Sequence, residues 1–219
     1  MDSHDILTTA IAATTHGRVL TKRAPQQLGV LAGFHGYYEN ADVQLGRLAA
    51  IPGAEAWTLI SIQGLHRFYR ARTEDVVASW MTRQDRELAI ADNIAYVDAA
   101  MAAALHGVAL SPLVCAGFSQ GVAMAFRAGV RGRARTSGII AVGGDVPPEL
   151  LADAEARFPP VLLVRGAQDD YYPRHQFDGN AAALRSRGAD VTTVVVEGMH
   201  DWTAEVSEAA GVFLRRLIG

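Results

Sequence analysis

The five residues Gly117-Phe118-Ser119-Gln120-Gly121 constrain the fold more than any other part of the sequence. They follow the apolar run 112–114 and precede the helical-looking stretch 122–127, which is the strand-to-helix context that the pattern G-x-S-x-G requires. There the chain must reverse within a few residues, and the flanking glycines let the strand and the helix pack closely. We therefore expect a strained backbone at Ser119 and a hydroxyl exposed at the carboxyl end of a strand, where it is a candidate nucleophile.

Stretches typical of strands and helices alternate along the chain, which predicts a mostly parallel sheet with helices on both faces. We expect about eight strands, the first two forming an antiparallel pair joined at His16-Gly17. A long loop is expected over 63–80. The predicted strands cover 6–15, 18–22, 28–34, 57–62, the run before Ser119, 137–142, 161–165 and 191–196, and the predicted helices cover 41–51, 84–106, the stretch after Ser119, part of 149–157, 176–187 and 201–217.

Bulk composition describes an ordinary globular chain. The 219 residues predict one domain spanning 1–219, and a net charge of −3 gives no reason to expect nucleic-acid binding. The single cysteine excludes an internal disulfide and a multi-cysteine zinc site. The acidic first residues do not resemble a secretory signal, and no apolar run approaches the ~18 residues of a membrane span. We expect a cytoplasmic protein that does not insert into membranes, with no metal and no cofactor.

A base and an acid for Ser119 are sought at the carboxyl ends of the strands, where open α/β sheets bind ligands. Of seven histidines, His200 follows the last predicted strand and is the candidate base. Asp169 follows the preceding strand and is the candidate acid that orients it. The adjacent Asp170 is the main alternative, and Asp145 is a more distant one. The order serine, acid, histidine is the order of the G-x-S-x-G enzymes.

Two backbone amides are candidates for the oxyanion hole. The Gln120 N–H lies at the start of the helix after Ser119, and the Tyr37 N–H lies in the turn after the strand 28–34. His35 and Gly36 precede Tyr37, and the alternative interpretation of these two residues is a plain strand-ending turn that packs a histidine.

With these residues placed, the chain resembles the α/β-hydrolase superfamily over nearly its whole length, and within it the phospholipase/carboxylesterase branch that includes acyl-protein thioesterases. The motifs are residues 34–37 with 39–41, residues 117–121, residues 166–169 with Pro173, and residues 198–200. The resemblance implies a nucleophile at Ser119, an acid at Asp169 and a base at His200. The sequence departs from the branch at Val122 and at Arg165.

The expected substrate is a small-molecule carboxylic ester of small or medium acyl length, or a related thioester. About 17 residues separate the strands 137–142 and 161–165, too few for a cap domain, so we expect a shallow site. The loop 63–80 then supplies the walls, with Phe68, Tyr69 and Trp80 as apolar contacts, together with His35. Arg70 and its neighbouring arginines either meet an anionic group or pair with nearby acids on the surface.

Two alternatives to a serine esterase stay open. One is a catalytically silent hydrolase fold that acts as a binding module. The other is a peptidase or amidase of the same superfamily. The sequence leaves the oligomeric state open and is compatible with a homodimer.

Overall fold

A seven-stranded sheet forms the centre of the protein. The computed structural model describes residues 6–106 and 112–219. The strand order is β1-β3-β2-β6-β7-β8-β9, and all neighbours are parallel except β1 and β3. The strands are β1 (Val19–Lys22), β2 (Gly29–Phe34), β3 (Trp57–Ile62), β4 (His66–Tyr69), β5 (Val76–Ser79), β6 (Leu113–Phe118), β7 (Gly138–Val142), β8 (Val161–Gly166) and β9 (Val191–Val196).

Helices cover both faces of this sheet and bury its apolar runs. The strands β2, β3, β6, β7 and β8 are buried along their whole length, as expected for parallel strands between two helical layers. One apolar cluster lies on each face of the sheet. The helices are α1 (Ala41–Ala49), α2 (Arg86–Ala104), α3 (Gln120–Arg131), α4 (Pro148–Ala152), α5 (Arg174–Ser186) and α6 (Ala204–Ile218), with a 3-10 turn at Ala54–Ala56.

The predicted pairing of the first two strands is wrong. Residues 6–18 form no strand, and Ile6, Leu7 and Ile11 are exposed. The strand β1 instead pairs with β3, with Val19 opposite Ile62. Strand propensity depends on the partner that tertiary structure supplies, and the Thr-rich segment 6–15 meets none in the described part of the chain.

The predicted long loop 63–80 contains a β-hairpin. Its strands β4 and β5 pair antiparallel, with Phe68 opposite Val77, and form a separate two-stranded sheet. An isolated bridge between Glu39 and Ala78 ties the hairpin to the turn after β2. Exposed arginine and histidine positions obscured the strand pattern of β4 in the sequence.

The nucleophile candidate lies where α3 passes very close to β2. A methyl group on Gly121, in the first turn of α3, would lie 2.0 Å from the Phe34 carbonyl oxygen and 2.6 Å from that of His35. Only a residue without Cβ allows this approach. The turn that ends β2 is therefore held directly against the start of α3.

The connection between β7 and β8 carries only the short helix α4, in agreement with the expectation of no cap domain. Within residues 6–106 and 112–219, no helix combines the length and apolar character needed to cross a bilayer.

The buried thiol of Cys115 is expected to be unreactive in the folded protein. Burial in β6 raises the pKa of the Cys115 thiol to about 12, so at pH 8 only about one molecule in 10⁴ carries the thiolate. A disulfide reagent such as Ellman's reagent should label one thiol per chain in denaturant and essentially none in native buffer. Rapid labelling of the native protein would contradict this burial.

Candidate active site

Ser119 occupies the sharp turn that the sequence predicts. It has φ +51 and ψ −119, a left-handed region that non-glycine residues rarely adopt. The turn is held on both sides, because the Ser119 N–H donates to the Val142 carbonyl at 2.9 Å and the Val122 N–H donates to the Ser119 carbonyl at 3.0 Å. Backbone strain that is held in this way is typical of functional sites.

His200 and Asp169 form a hydrogen-bonded pair. The His200 Nδ1 donates to Asp169 Oδ2 at 2.8 Å, which leaves Nε2 as the nitrogen free to accept a proton. The other carboxylate oxygen, Oδ1, accepts from the N–H groups of Tyr171 at 3.0 Å and Tyr172 at 2.9 Å. Asp169 is 2% exposed whereas Asp170 is exposed. The structure thus brings Asp169, and not Asp170, to the histidine.

The buried Arg165 side chain holds the loop that carries Asp169 through hydrogen bonds to its backbone. This side chain is buried, and its guanidinium donates to the carbonyls of Tyr172 at 3.1 Å and Asp169 at 3.2 Å. Arg165 is one of the positions at which the sequence departs from the family pattern. Here the departure supplies a rigid support for the acid loop.

The end of β7 lies against both the histidine and the serine. A methyl group on Gly143 would lie 3.0 Å from His200 Cε1, and one on Gly144 would lie 2.4 Å from the Ser119 carbonyl oxygen. The Phe118 ring, directly before Ser119, lies 5.0 Å from the His200 ring between centroids. Residues from β6, β7, β8 and β9 therefore meet at one edge of the sheet.

The two candidate oxyanion amides also lie at this edge. The Gln120 N–H is the first of α3, where no intrahelical acceptor exists. The Tyr37 N–H lies in the turn that contacts α3, and neither amide donates to another group within residues 6–106 and 112–219. A helix N-terminus and a free turn amide are suitable donors for a developing negative charge.

Two of the side chains predicted to contact substrate are completely buried, and we correct those predictions. His35 and Trp80 are both 0% exposed. The Trp80 indole N–H donates to the His35 carbonyl at 2.9 Å, and its ring packs on Phe34. Both side chains support the turn after β2 from the core side, so neither can form the wall of an open groove. Aromatic composition alone could not separate a core residue from a rim residue.

The hairpin supplies aromatic side chains to the rim of the site, but Phe68 and Tyr69 do not form one shared wall as predicted. Phe68 packs against Tyr37 and Tyr38, with ring centroids 6.0 Å and 5.9 Å apart. Tyr69 is exposed, and because neighbouring strand residues face opposite sides it points away from that cluster. The Arg70 guanidinium lies over the Tyr38 ring at 5.4 Å and donates to the Tyr38 carbonyl.

Comparison with known proteins decides the family. The model of the phospholipase/carboxylesterase family matches residues 75–218, which is more than half of the chain. The chain belongs to this family. Its members are carboxylic ester hydrolases, so the predicted enzyme class is confirmed. No curated protein matches the chain.

Solved structures of similar fold include several esterases. Esterase PE8 is 24% identical over 92% of this chain and 98% of its own, with a TM-score of 0.71. The Bacillus cereus carboxylesterase is 16% identical over 92% and 94%, with a TM-score of 0.71. The Zea mays acyl-protein thioesterase 2 is 18% identical over 93% and 100%, with a TM-score of 0.70. These likenesses confirm the α/β-hydrolase fold of this family member.

Sequence reasoning missed three contributions to this hydrolase site. The exposed Tyr171 ring lies 5.2 Å from His200, and Met199 beside His200 is exposed. The Gln120 side chain accepts from the Trp80 N–H at 2.9 Å and donates to the Met81 carbonyl at 2.9 Å, which ties the end of β5 to the serine turn. The position of Tyr171, two residues after the acid, was the available signal, whereas the Gln120 contacts required the fold.

Gly143 offers a direct test of the space beside His200. Gly143→Ala places a methyl group 3.0 Å from His200 Cε1, and we expect esterase activity to fall at least about tenfold, since a displacement of 1 Å can cost about 10²-fold. Gly188→Ala is the matched control, because Gly188 also has a positive φ, of +76 against +64, but has nothing within 4 Å. Both variants should lose about 1–2 kcal/mol of stability, measured by urea unfolding. Equal activity in the two variants would contradict the tight packing of His200.

Burial of His35 predicts a pH dependence of stability. Desolvation lowers the pKa of His35 below its ordinary value of 6.5, so the folded state disfavours the charged ring. As pH falls below 6.5, the unfolded chain takes up this proton first, and the free energy of unfolding decreases by at most about 1.4 kcal/mol per pH unit. Urea unfolding at pH 7.5 and 5.5 should show a larger decrease for the wild type than for His35→Asn. Equal decreases would show that the folded and unfolded states protonate His35 alike.

Proposed function

We propose that this chain hydrolyses carboxylic esters of small or medium acyl length through an acyl-enzyme on Ser119, with His200 as base and Asp169 as the acid that orients it. His200 Nε2 removes the Ser119 proton as Oγ attacks the acyl carbonyl. His200 then protonates the leaving alcohol, and a water activated by the same nitrogen attacks the acyl-enzyme and releases the carboxylic acid. Thioesters react by the same steps with a thiol as the leaving group.

The oxyanion formed in each step is proposed to bind the Tyr37 and Gln120 amides. Each such donor is worth about 10²–10³ in rate when it is fixed before the reaction. Both amides lie at the contact between the turn after β2 and the start of α3, and both lack another acceptor among the described residues.

The observation that carries the proposal is the hydrogen bond of 2.8 Å between His200 and Asp169 beside a serine held at φ +51. A hydroxyl needs an oriented base to act as a nucleophile, and these elements come from three separate segments of the chain. A fold used only for binding has no need of a buried acid whose two oxygens accept three hydrogen bonds.

The rim supports esters with an apolar part as substrates. Tyr37 and Phe68 lie on the side of the turn after β2, called here the oxyanion turn (residues 35–38). Tyr171 and Met199 lie on the side of His200. Arg70 lies on the Tyr38 ring and donates to the Tyr38 carbonyl, so part of its donor capacity is already used within the rim. The cytoplasmic location stays a prediction from sequence.

Variants of the serine and the two adjacent aspartates test the mechanism. Hydrolysis of p-nitrophenyl esters from acetate to palmitate should be lost in Ser119→Ala and fall on the order of 10⁴-fold in Asp169→Asn, because the histidine loses its orienting acceptor. The matched control is Asp170→Asn, whose exposed carboxylate should be dispensable. A peak at acetate to octanoate is expected.

Each outcome of this series has a definite meaning. Full activity of Ser119→Ala would exclude the serine mechanism, and a larger loss in Asp170→Asn than in Asp169→Asn would exclude Asp169 as the acid. No hydrolysis by the wild type at any chain length would favour the silent fold, and a peak at palmitate would exclude the proposed acyl range.

A further inference from the structure

The backbone of Gly36 is held at both its polar groups by side chains. Its N–H donates to Glu39 Oε2 at 2.8 Å, and its carbonyl oxygen accepts from His35 Nδ1 at 2.7 Å. The following amide is that of Tyr37, the proposed oxyanion donor. Gly36 is therefore the residue whose orientation decides where that amide points.

The hydrogen bond to the Gly36 carbonyl fixes the plane of one particular peptide. The carbonyl of Gly36 and the N–H of Tyr37 belong to the same planar unit, and in a trans peptide they point in opposite directions. A bond from His35 to the carbonyl therefore directs the Tyr37 N–H away from the buried imidazole. The neighbouring His35 carbonyl is itself held by the Trp80 indole at 2.9 Å.

The contacts of His35 settle which ring nitrogen carries the proton. The Gly64 N–H donates to His35 Nε2 at 2.9 Å, so Nε2 must be the acceptor. The neutral ring then carries its proton on Nδ1, which donates to Gly36. A proton on Nε2 would face the Gly64 N–H, donor against donor, so this contact favours the neutral ring.

Glu39 is fixed by a second partner. Arg47 donates to both of its carboxylate oxygens, from Nη1 to Oε2 at 2.6 Å and from Nη2 to Oε1 at 2.7 Å. Such a two-pronged pair restrains the carboxylate in angle as well as in distance. The Arg47 guanidinium lies 4.2 Å from the centre of the Phe118 ring, directly before Ser119. The ion pair therefore connects the oxyanion turn to the serine turn.

We infer that His35 and Glu39 are positioning residues, which orient the Gly36–Tyr37 peptide so that the Tyr37 amide is fixed as an oxyanion donor before substrate binds. The inference rests on the proposed serine mechanism and adds to it. Catalysis gains from such a donor only if it does not have to reorient during the reaction. Loss of either side chain should therefore lower kcat more than it raises KM.

Two replacements of His35 separate its two hydrogen bonds. His35→Asn places an amide N–H near the position of Nδ1 and can still donate to the Gly36 carbonyl, whereas His35→Gln places its polar group near Nε2 and can reach only Gly64. We expect kcat for p-nitrophenyl butyrate to fall about tenfold or more in His35→Gln and less in His35→Asn, with KM within about twofold in both. A structural role alone predicts no difference in kcat between the folded forms of the two variants.

Replacement of Glu39 tests the other half without touching the imidazole. Glu39→Gln keeps the shape of the side chain. Because Oε2 accepts from both Gly36 and Arg47, the amide oxygen takes that place and the amide NH₂ group then faces the Arg47 guanidinium. The two-pronged pair is lost, and kcat should again fall about tenfold. The control is Asp42→Asn, which removes an exposed ion pair with Arg18 in the first turn of α1, three residues after Glu39, and should leave kcat unchanged. Thermal unfolding of every variant reports whether it folds.

A trifluoromethyl ketone inhibitor gives a readout of the oxyanion itself, because it binds a serine hydrolase as a charged tetrahedral adduct. Its inhibition constant should rise in parallel with the loss of kcat in His35→Gln and Glu39→Gln. An unchanged inhibition constant and kcat in both folded variants, together with an inactive Ser119→Ala, would overturn the positioning role and leave the serine mechanism intact. An active Ser119→Ala would overturn the mechanism instead.

Discussion

The close contact between α3 and the end of β2 is the constraint on which the rest of the site depends. The carbonyls of Phe34 and His35 occupy the space that a side chain on Gly121 would need. This contact sets the distance between the serine turn and the turn that carries the Tyr37 amide. The chain can reverse there only if Ser119 accepts a left-handed backbone, which is held by hydrogen bonds on both sides.

Buried polar side chains then hold each loop of the site from behind. Arg165 braces the acid loop through backbone carbonyls, and the Gln120 side chain ties the end of β5 to the serine turn. His35 and Glu39 do the same for Gly36. Hydrogen-bond donors and charged groups stabilise a transition state best when they are oriented before the substrate binds. In this protein, buried side chains orient these loops without substrate.

The sequence predicted the candidate site best where a reactive residue type occurs in a motif that also requires a particular backbone turn. The apolar runs along the chain predicted the sheet. The pentapeptide 117–121 and the residues that follow β8 and β9 predicted that Ser119, Asp169 and His200 lie at one edge of it. Side-chain direction was less accessible: Trp80 and His35 looked like substrate contacts but are core residues. The segment 6–15 has the composition of a strand but forms none. Whether a strand forms depends on a pairing partner from a distant part of the chain, which composition does not reveal.

Covalent labelling of Ser119 addresses the central proposal without depending on the natural substrate. A fluorophosphonate reacts with an activated serine, and the mass of the intact protein and of its peptides shows how many groups are added and where. We predict one adduct per chain, on Ser119, formed by the wild type and absent from His200→Ala, which retains the hydroxyl but lacks the base. No adduct, an adduct on another serine, or equal labelling of the His200→Ala variant would contradict a nucleophile at Ser119 activated by His200.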